Sequence, residues 1–136
     1  MQNIICLVLL FYFSVKSFAQ TKADSTLKAQ IIEPTDFDKL LTKNILVVAD
    51  FHADWCGPCQ KMLPTFAQLK AEYQGKALFI KINYDLSKRL AQRYGIDEIP
   101  TMLVFKKNKM VNRLIGYMDA NTMRALLKDS FDKPVD

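Results

Sequence analysis

Glycine and proline are scarce in this chain of 136 residues, at four and five copies, which excludes collagen-like and low-complexity chains. Half of the residues are apolar, so intrinsic disorder is excluded as well. Long apolar runs are missing: the longest, Ile4 to Phe13, has ten residues, where a membrane-spanning helix needs roughly 18. Histidine occurs once, at His52, and of the three cysteines Cys6 lies inside that apolar run, so His52 with Cys56 and Cys59 falls short of the usual four zinc ligands. The net charge of +5 is a mild basic excess. Its densest cluster, Lys106, Lys107, Lys109 and Arg113, has no interleaved aromatics, which argues against nucleic-acid binding and fits solvated lysines guarding a strand edge. The length allows one domain.

The run Ile4 to Phe13 stands where an export signal keeps its apolar region, and Ser17-Phe18-Ala19 follows with small residues at the positions a signal peptidase reads. Cleavage is expected after Ala19, although Met1 to Ile5 carries no Lys or Arg and Lys16 follows the run. Residues 1–19 are thus read as a signal, 20–30 as a polar tether, 31–132 as the folded domain and 133–136 as a tail. The expected location is the periplasm or the exterior, with no stable membrane insertion once the signal is removed. Cys6 goes with the signal, leaving Cys56 and Cys59 in surroundings that permit disulfides.

Within the domain, Ile31 and Ile32 are expected to close a first short strand, and Pro34 to Asp38 marks a helix start with Phe37, Leu40 and Leu41 inward. Ile45–Phe51 and Ala77–Ile82 are nearly continuous apolar runs of strand length, the pattern of strands covered on both faces. Between them Met62, Leu63, Phe66, Leu69 and Tyr73 repeat with helical spacing, interrupted by Pro64, which should kink the helix. Asp85 is expected to cap a further helix using Leu86, Leu90, Ala91 and Tyr94 and stopped by Gly95. Thr101–Phe105 and Met110–Ile115 read as a hairpin through Lys107, Asn108 and Lys109; Asp119 opens a last helix with Met123, Leu126, Leu127 and Phe131 inward. The resulting order, βαβαβαββα, describes an α/β fold with a mixed sheet of about five strands flanked by four helices.

The segment Asp50-Phe51-His52-Ala53-Asp54-Trp55-Cys56-Gly57-Pro58-Cys59 falls at the end of a buried strand and the start of a helix. A thiol attacks as its thiolate, and the unpaired N–H groups and dipole of a helix N-terminus favour that anion at Cys56. Gly57 lets a partner backbone approach, and Pro58 is tolerated in the first turn. Cys59, one turn deeper, can reach Cys56 in a reversible disulfide. Half a zinc site and a purely structural bridge are the competing readings; so short a loop removes little unfolded-state entropy.

Trp55-Cys56-Gly57-Pro58-Cys59 is identical to the active-site motif of the thioredoxin family, and Tyr94-Gly95-Ile96 followed by Ile99-Pro100-Thr101 resembles the family's proline segment downstream. The resemblance runs from about Ile31 to Phe131. It implies a thioredoxin fold, a redox disulfide with no other cofactor or metal, Cys56 as nucleophile and Cys59 as resolving thiol. It further implies that Asp50 relays a proton with Lys81 as its charged neighbour, and that Pro100 is cis. Trp55, Gly57, Pro58, Ile99, Pro100, Gly116 and Tyr117 would rim the surface on which a substrate docks. An acid ending so apolar a strand should be partly desolvated and its pKa raised. Asp50 in water and Lys81 on an exposed face are the plainer alternatives.

The expected function is reduction of protein disulfides by an exported monomer that draws electrons from a membrane dithiol carrier. The same chemistry run in reverse, forming or reshuffling disulfides, is the first alternative, and a groove that binds without turnover the second. His52 stands where the family commonly has an aromatic and is expected to titrate near neutral pH and modulate the site, or else only to pack. The hairpin turn lacks the family's usual glycine.

Overall fold

The computed structural model describes residues 31–135. Helix α1 spans Pro34–Lys43, β1 Leu46–His52, α2 Gly57–Glu72, β2 Leu78–Asn83, α3 Lys88–Arg93, β3 Thr101–Lys106, β4 Lys109–Ile115 and α4 Ala120–Asp132. Pro34 begins α1 with its ring already at helical φ, Asp36 lies in the first turn and Lys43 in the last, each charge complementing the helix dipole. Asp119 caps α4 as expected, accepting hydrogen bonds from the Asn121 and Thr122 N–H groups. Pro64 lies inside α2, and the helix is continuous across it from Gly57 to Glu72.

The strands form one mixed sheet in the order β2-β1-β3-β4. β1 pairs with β2 in parallel and with β3 antiparallel, and β3 pairs antiparallel with β4. The parallel pair needs a crossover, which α2 supplies. Side-chain alternation splits β1 between two cores. Val47, Ala49 and Phe51 pack with Phe37 and Leu41 of α1 and Leu90 and Ala91 of α3. Val48 packs with Met62, Phe66 and Leu69 of α2 and Met123 and Leu127 of α4. Burial on both faces is why β1 reads as a nearly continuous apolar run, broken at Asp50 and His52. Phe37 anchors the first core through edge-on ring contacts with Tyr94 and Phe105.

Three local expectations are corrected. Ile31 and Ile32 form no strand: Ile32 is buried against α1 and α3, and its N–H donates to Ser87 Oγ instead of to a ladder. The preceding part of that expected strand, like the signal and tether, lies outside the described residues. Asp85 does not cap α3, which begins after Ser87, and Leu86 is 58% exposed rather than inward. A turn held by the Asn83 side chain, which accepts from the Leu86 N–H, intervenes and delays the helix. Finally, the hairpin turn is shorter than expected, because Lys109 already belongs to β4 opposite Lys106: Lys107 and Asn108 alone make it, without glycine, both with positive φ, 49° and 65°. That is the handedness a two-residue connection needs to match strand twist.

Candidate active site: the cysteine pair and the strand ends beneath it

The site lies where β1 and β2 end and β3 begins. Cys56 is the N-cap of α2, and the Cys59 N–H points at its sulfur at 3.2 Å. The two cysteines are joined in a disulfide with their Cα atoms 5.2 Å apart. Both are nearly buried and pack with Ala53 and Ile99. Once the bond is opened, a Cys56 thiolate stands at the start of a sixteen-residue helix whose first N–H groups have no intrahelical partner.

A second loop reaches the sulfurs from across the sheet. The Ile99 carbonyl oxygen lies 3.8 Å from Cys56 Sγ, and the Ile99–Pro100 peptide bond is cis. This loop is tied at several points. Thr101 Oγ1 donates to the Glu98 carbonyl, the Gly116 N–H donates to the Pro100 carbonyl, and Arg113 donates to the carbonyls of Tyr94 and Gly95. Gly116 holds φ +85°, a left-handed conformation that favours glycine just where the chain leaves β4 beside Pro100. Tyr117 follows it, 54% exposed.

Trp55 is 69% exposed beside Cys56, yet fixed: its indole N–H donates to Asp85 Oδ2 at 2.7 Å. Asp85 is therefore a site residue that the sequence reading assigned to a helix cap. Thirty intervening residues carry no spacing signal that would pair it with Trp55. Above Gly57 the surface is open, with no side chain or distant backbone within 4 Å of where a Cβ would stand. The structure thus brings Trp55, Cys56, Gly57, Cys59, Ile99, Pro100 and Gly116 to one end of the sheet, with Pro58 in the first turn of α2.

Asp50 is buried on the α2 side of β1, paired in register with Lys81. Burial pushes its carboxyl from 3.8 up to about 7, against the opposing pull of Lys81. Lys81 is also buried, 4% exposed, and its ammonium is pushed down by desolvation, with Asp50 and Asp54 acting against the shift. His52 is 2% exposed, and burial, reinforced by Lys81, pushes its imidazole from 6.5 down to about 4 despite Asp54. The expectation that His52 titrates near neutral pH is therefore corrected: the ring is neutral there because desolvation penalises its charged form.

A dithiol pair able to open and close at a helix N-terminus, facing a proline loop, with a carboxyl titrating near neutrality on the adjoining strand, defines a thiol–disulfide oxidoreductase. Comparison with known proteins names the family. The thioredoxin family model matches residues 28–129. The chain is 33% identical to thioredoxin 1 of Nostoc sp. over 100 residues, covering 74% of this chain and 94% of that one. It is 41% identical over 83 residues to the thioredoxin of Chlorobaculum thiosulfatiphilum, covering 61% and 77%. Among solved structures, mitochondrial thioredoxin 3 of Saccharomyces cerevisiae superposes with a TM-score of 0.69 at 29% identity, covering 74% of this chain and 93% of that one. A Halobacterium salinarum thioredoxin gives 0.68 at 30% identity, covering 83% and 99%. This chain belongs to the thioredoxin family. Thioredoxins act on protein disulfides through the cysteine pair itself, without a cofactor. Among the described residues no cluster of His, Cys, Asp or Glu could hold a metal ion.

Proposed function

We propose that this protein is an exported thioredoxin that reduces disulfides in other proteins. The observation that carries the reading is the Cys56-Gly57-Pro58-Cys59 turn at the head of α2, with Ile99 against Cys56 and the buried Asp50 on the strand below. In the forward reaction the Cys56 thiolate attacks one sulfur of a substrate disulfide. A mixed disulfide forms and the other substrate sulfur leaves as thiolate. The Asp50 carboxylate takes the proton from the Cys59 thiol, and the Cys59 thiolate attacks Cys56 Sγ. That closes the Cys56–Cys59 bond and releases the second substrate thiolate, so two electrons pass to the substrate. Lys81 favours the ionised Asp50 that must accept the proton.

The exposed Trp55 and Tyr117 flank open backbone at Gly57 and the Ile99–Pro100 turn, and with Pro58 and Gly116 they make a shallow rim suited to an extended substrate segment. Export rests on the apolar run Ile4 to Phe13 and the small residues Ser17 and Ala19. A reductase outside the cytosol must be recharged across a membrane, by a membrane dithiol carrier, and a monomer leaves its docking rim free for both that donor and the substrate.

The direction is tested by equilibrating the Cys56/Cys59 pair with graded thiol–disulfide buffers. A reduction potential near that of thioredoxin, about −270 mV, is expected; one near the about −120 mV of a strong periplasmic oxidant would make the protein a disulfide-forming enzyme instead. Export is tested separately by the mass of the protein recovered from the cell envelope, which should begin at Gln20.

A further inference from the structure

Three buried polar atoms at the end of β1 have no hydrogen-bonding group among the described residues: Asp50 Oδ1, His52 Nδ1 and His52 Nε2. Buried polar atoms are normally satisfied by protein or by an enclosed water that makes two to four bonds. Strand alternation puts Asp50 and His52 on one face of β1, one above the other. In register, β2 sets Lys81 beside Asp50 and Asn83 beside His52. The antiparallel register with β3 ends at the Phe51 and Thr101 pair, one residue short of His52 on β1. Along β1, His52 therefore lies between the buried carboxyl of Asp50 and Ala53, which packs with Cys56, Cys59 and Ile99.

We propose that His52 is a positioning residue for Asp50: its neutral imidazole donates a hydrogen bond, through one enclosed water shared with Asp50 Oδ1, that stabilises the Asp50 carboxylate. The inference deepens the proposed reductase mechanism, resting on its reading of Asp50 as the group that exchanges a proton with Cys59. The charged groups acting on the ring are Lys81 from β2 and Asp54 just past β1, with Asp50 on its own face; the Cys56–Cys59 disulfide of α2 does not titrate, and neither do Met102 and Thr101, the β3 residues in register with Asp50 and Phe51. With Lys81 and burial both opposing protonation, the ring keeps one N–H to donate and one nitrogen to accept. A neutral donor supports the carboxylate without placing a second charge in the same dry space. Replacing it by an apolar ring leaves the carboxylate with less support, so Asp50 must titrate higher.

The test follows the Asp50 side-chain carboxyl carbon by NMR across pH in the oxidised protein, for the native chain, His52→Phe and His52→Gln. A hydrogen bond to a charged group is strong enough to change the equilibrium about tenfold, so the His52→Phe midpoint should rise by about one pH unit. His52→Gln keeps an N–H donor and should stay within a few tenths of the native midpoint. A His52→Phe midpoint that is unchanged or lower overturns the proposal, as does a His52→Gln midpoint that rises as far as that of His52→Phe. Should His52→Phe fail to fold, the native protein decides: its imidazole nitrogens should report a neutral ring at pH 6 with a slowly exchanging N–H, and a charged or rapidly exchanging ring overturns the proposal. Failure of the underlying mechanism looks different. Disulfide reduction by Asp50→Asn with an unchanged pH profile would remove Asp50 from the proton step while leaving the His52 titration result standing.

Discussion

Asp50→Asn should make the protein more stable, and increasingly so as pH rises. Asp50 is 2% exposed, and burial raises its carboxyl from 3.8 to about 7. Between those values the folded chain holds a proton that the unfolded chain has already released. Proton uptake is then greater in the folded state, so stability falls as pH increases, by about 1.4 kcal/mol per pH unit. Over roughly three units the loss reaches about 4 kcal/mol, complete just above pH 7, which is a large share of the 5 to 15 kcal/mol typical of a folded domain. Asn cannot ionise and escapes this loss.

The assay is denaturant unfolding of both oxidised proteins at pH 4, 6 and 8. At pH 4 the native carboxyl is largely protonated, so the difference there isolates shape and hydrogen bonding. The gap should then widen by about 4 kcal/mol towards pH 8. Taking the difference matters because His52 pulls the other way in both proteins. Its pKa is lowered from 6.5 to about 4, so the unfolded chain takes up a proton first and stability rises with pH between those values. In the native chain the two slopes oppose each other below pH 6.5. A gap that fails to widen by at least 1 kcal/mol between pH 4 and pH 8 would refute the desolvated carboxyl.

Cys59→Ser should stall on its substrates as a mixed disulfide through Cys56, visible on non-reducing gels, while Cys56→Ser should capture none. Phe37→Ala, which removes a fully buried ring in edge contact with Tyr94 and Phe105, should cost about 3 to 5 kcal/mol in unfolding free energy. Combining Lys107→Asn with Asn108→Gly at the positive-φ turn should raise stability by about 1 kcal/mol, read as a higher melting temperature with unchanged disulfide reduction.

The sequence was most legible where one physical cause dominates. β1 and β2 announce themselves because burial on both faces demands nearly continuous apolar runs, and α2 and α4 because each has a buried stripe at helical spacing. Cys56 and Cys59 are close in sequence, so their spacing alone made their pairing thinkable. The errors fall where a side chain competes with the main-chain pattern. Asn83 takes up the Leu86 N–H and delays α3, which left Leu86 exposed and freed Asp85 for Trp55. Ile32 is as apolar as a strand residue, but Ser87 claims its N–H. The state of His52 was illegible for another reason: its neutrality comes from burial and then from Lys81, which the pairing of β2 with β1 brings to the same end of the sheet.

Among the described residues, every buried side chain that carries an ionisable group is gathered in one place, apart from the cysteines of the disulfide, while the buried hydroxyls Ser87 and Ser130 lie elsewhere. Asp50, His52, Lys81, Asn83 and Thr101 are all buried, and all lie at the ends of β1 and β2 or the start of β3, while the rest of the central strands is apolar. A carboxyl can titrate near neutral pH only if water is kept from it, and keeping water from it destabilises the fold whenever it ionises. The two apolar cores on either side of the sheet provide the margin that makes this tolerable. Because a single desolvation produces both effects, stability and turnover should move in opposite directions in one variant. Asp50→Asn should unfold later and resolve mixed disulfides more slowly, whereas a variant that merely damaged packing would lose both together.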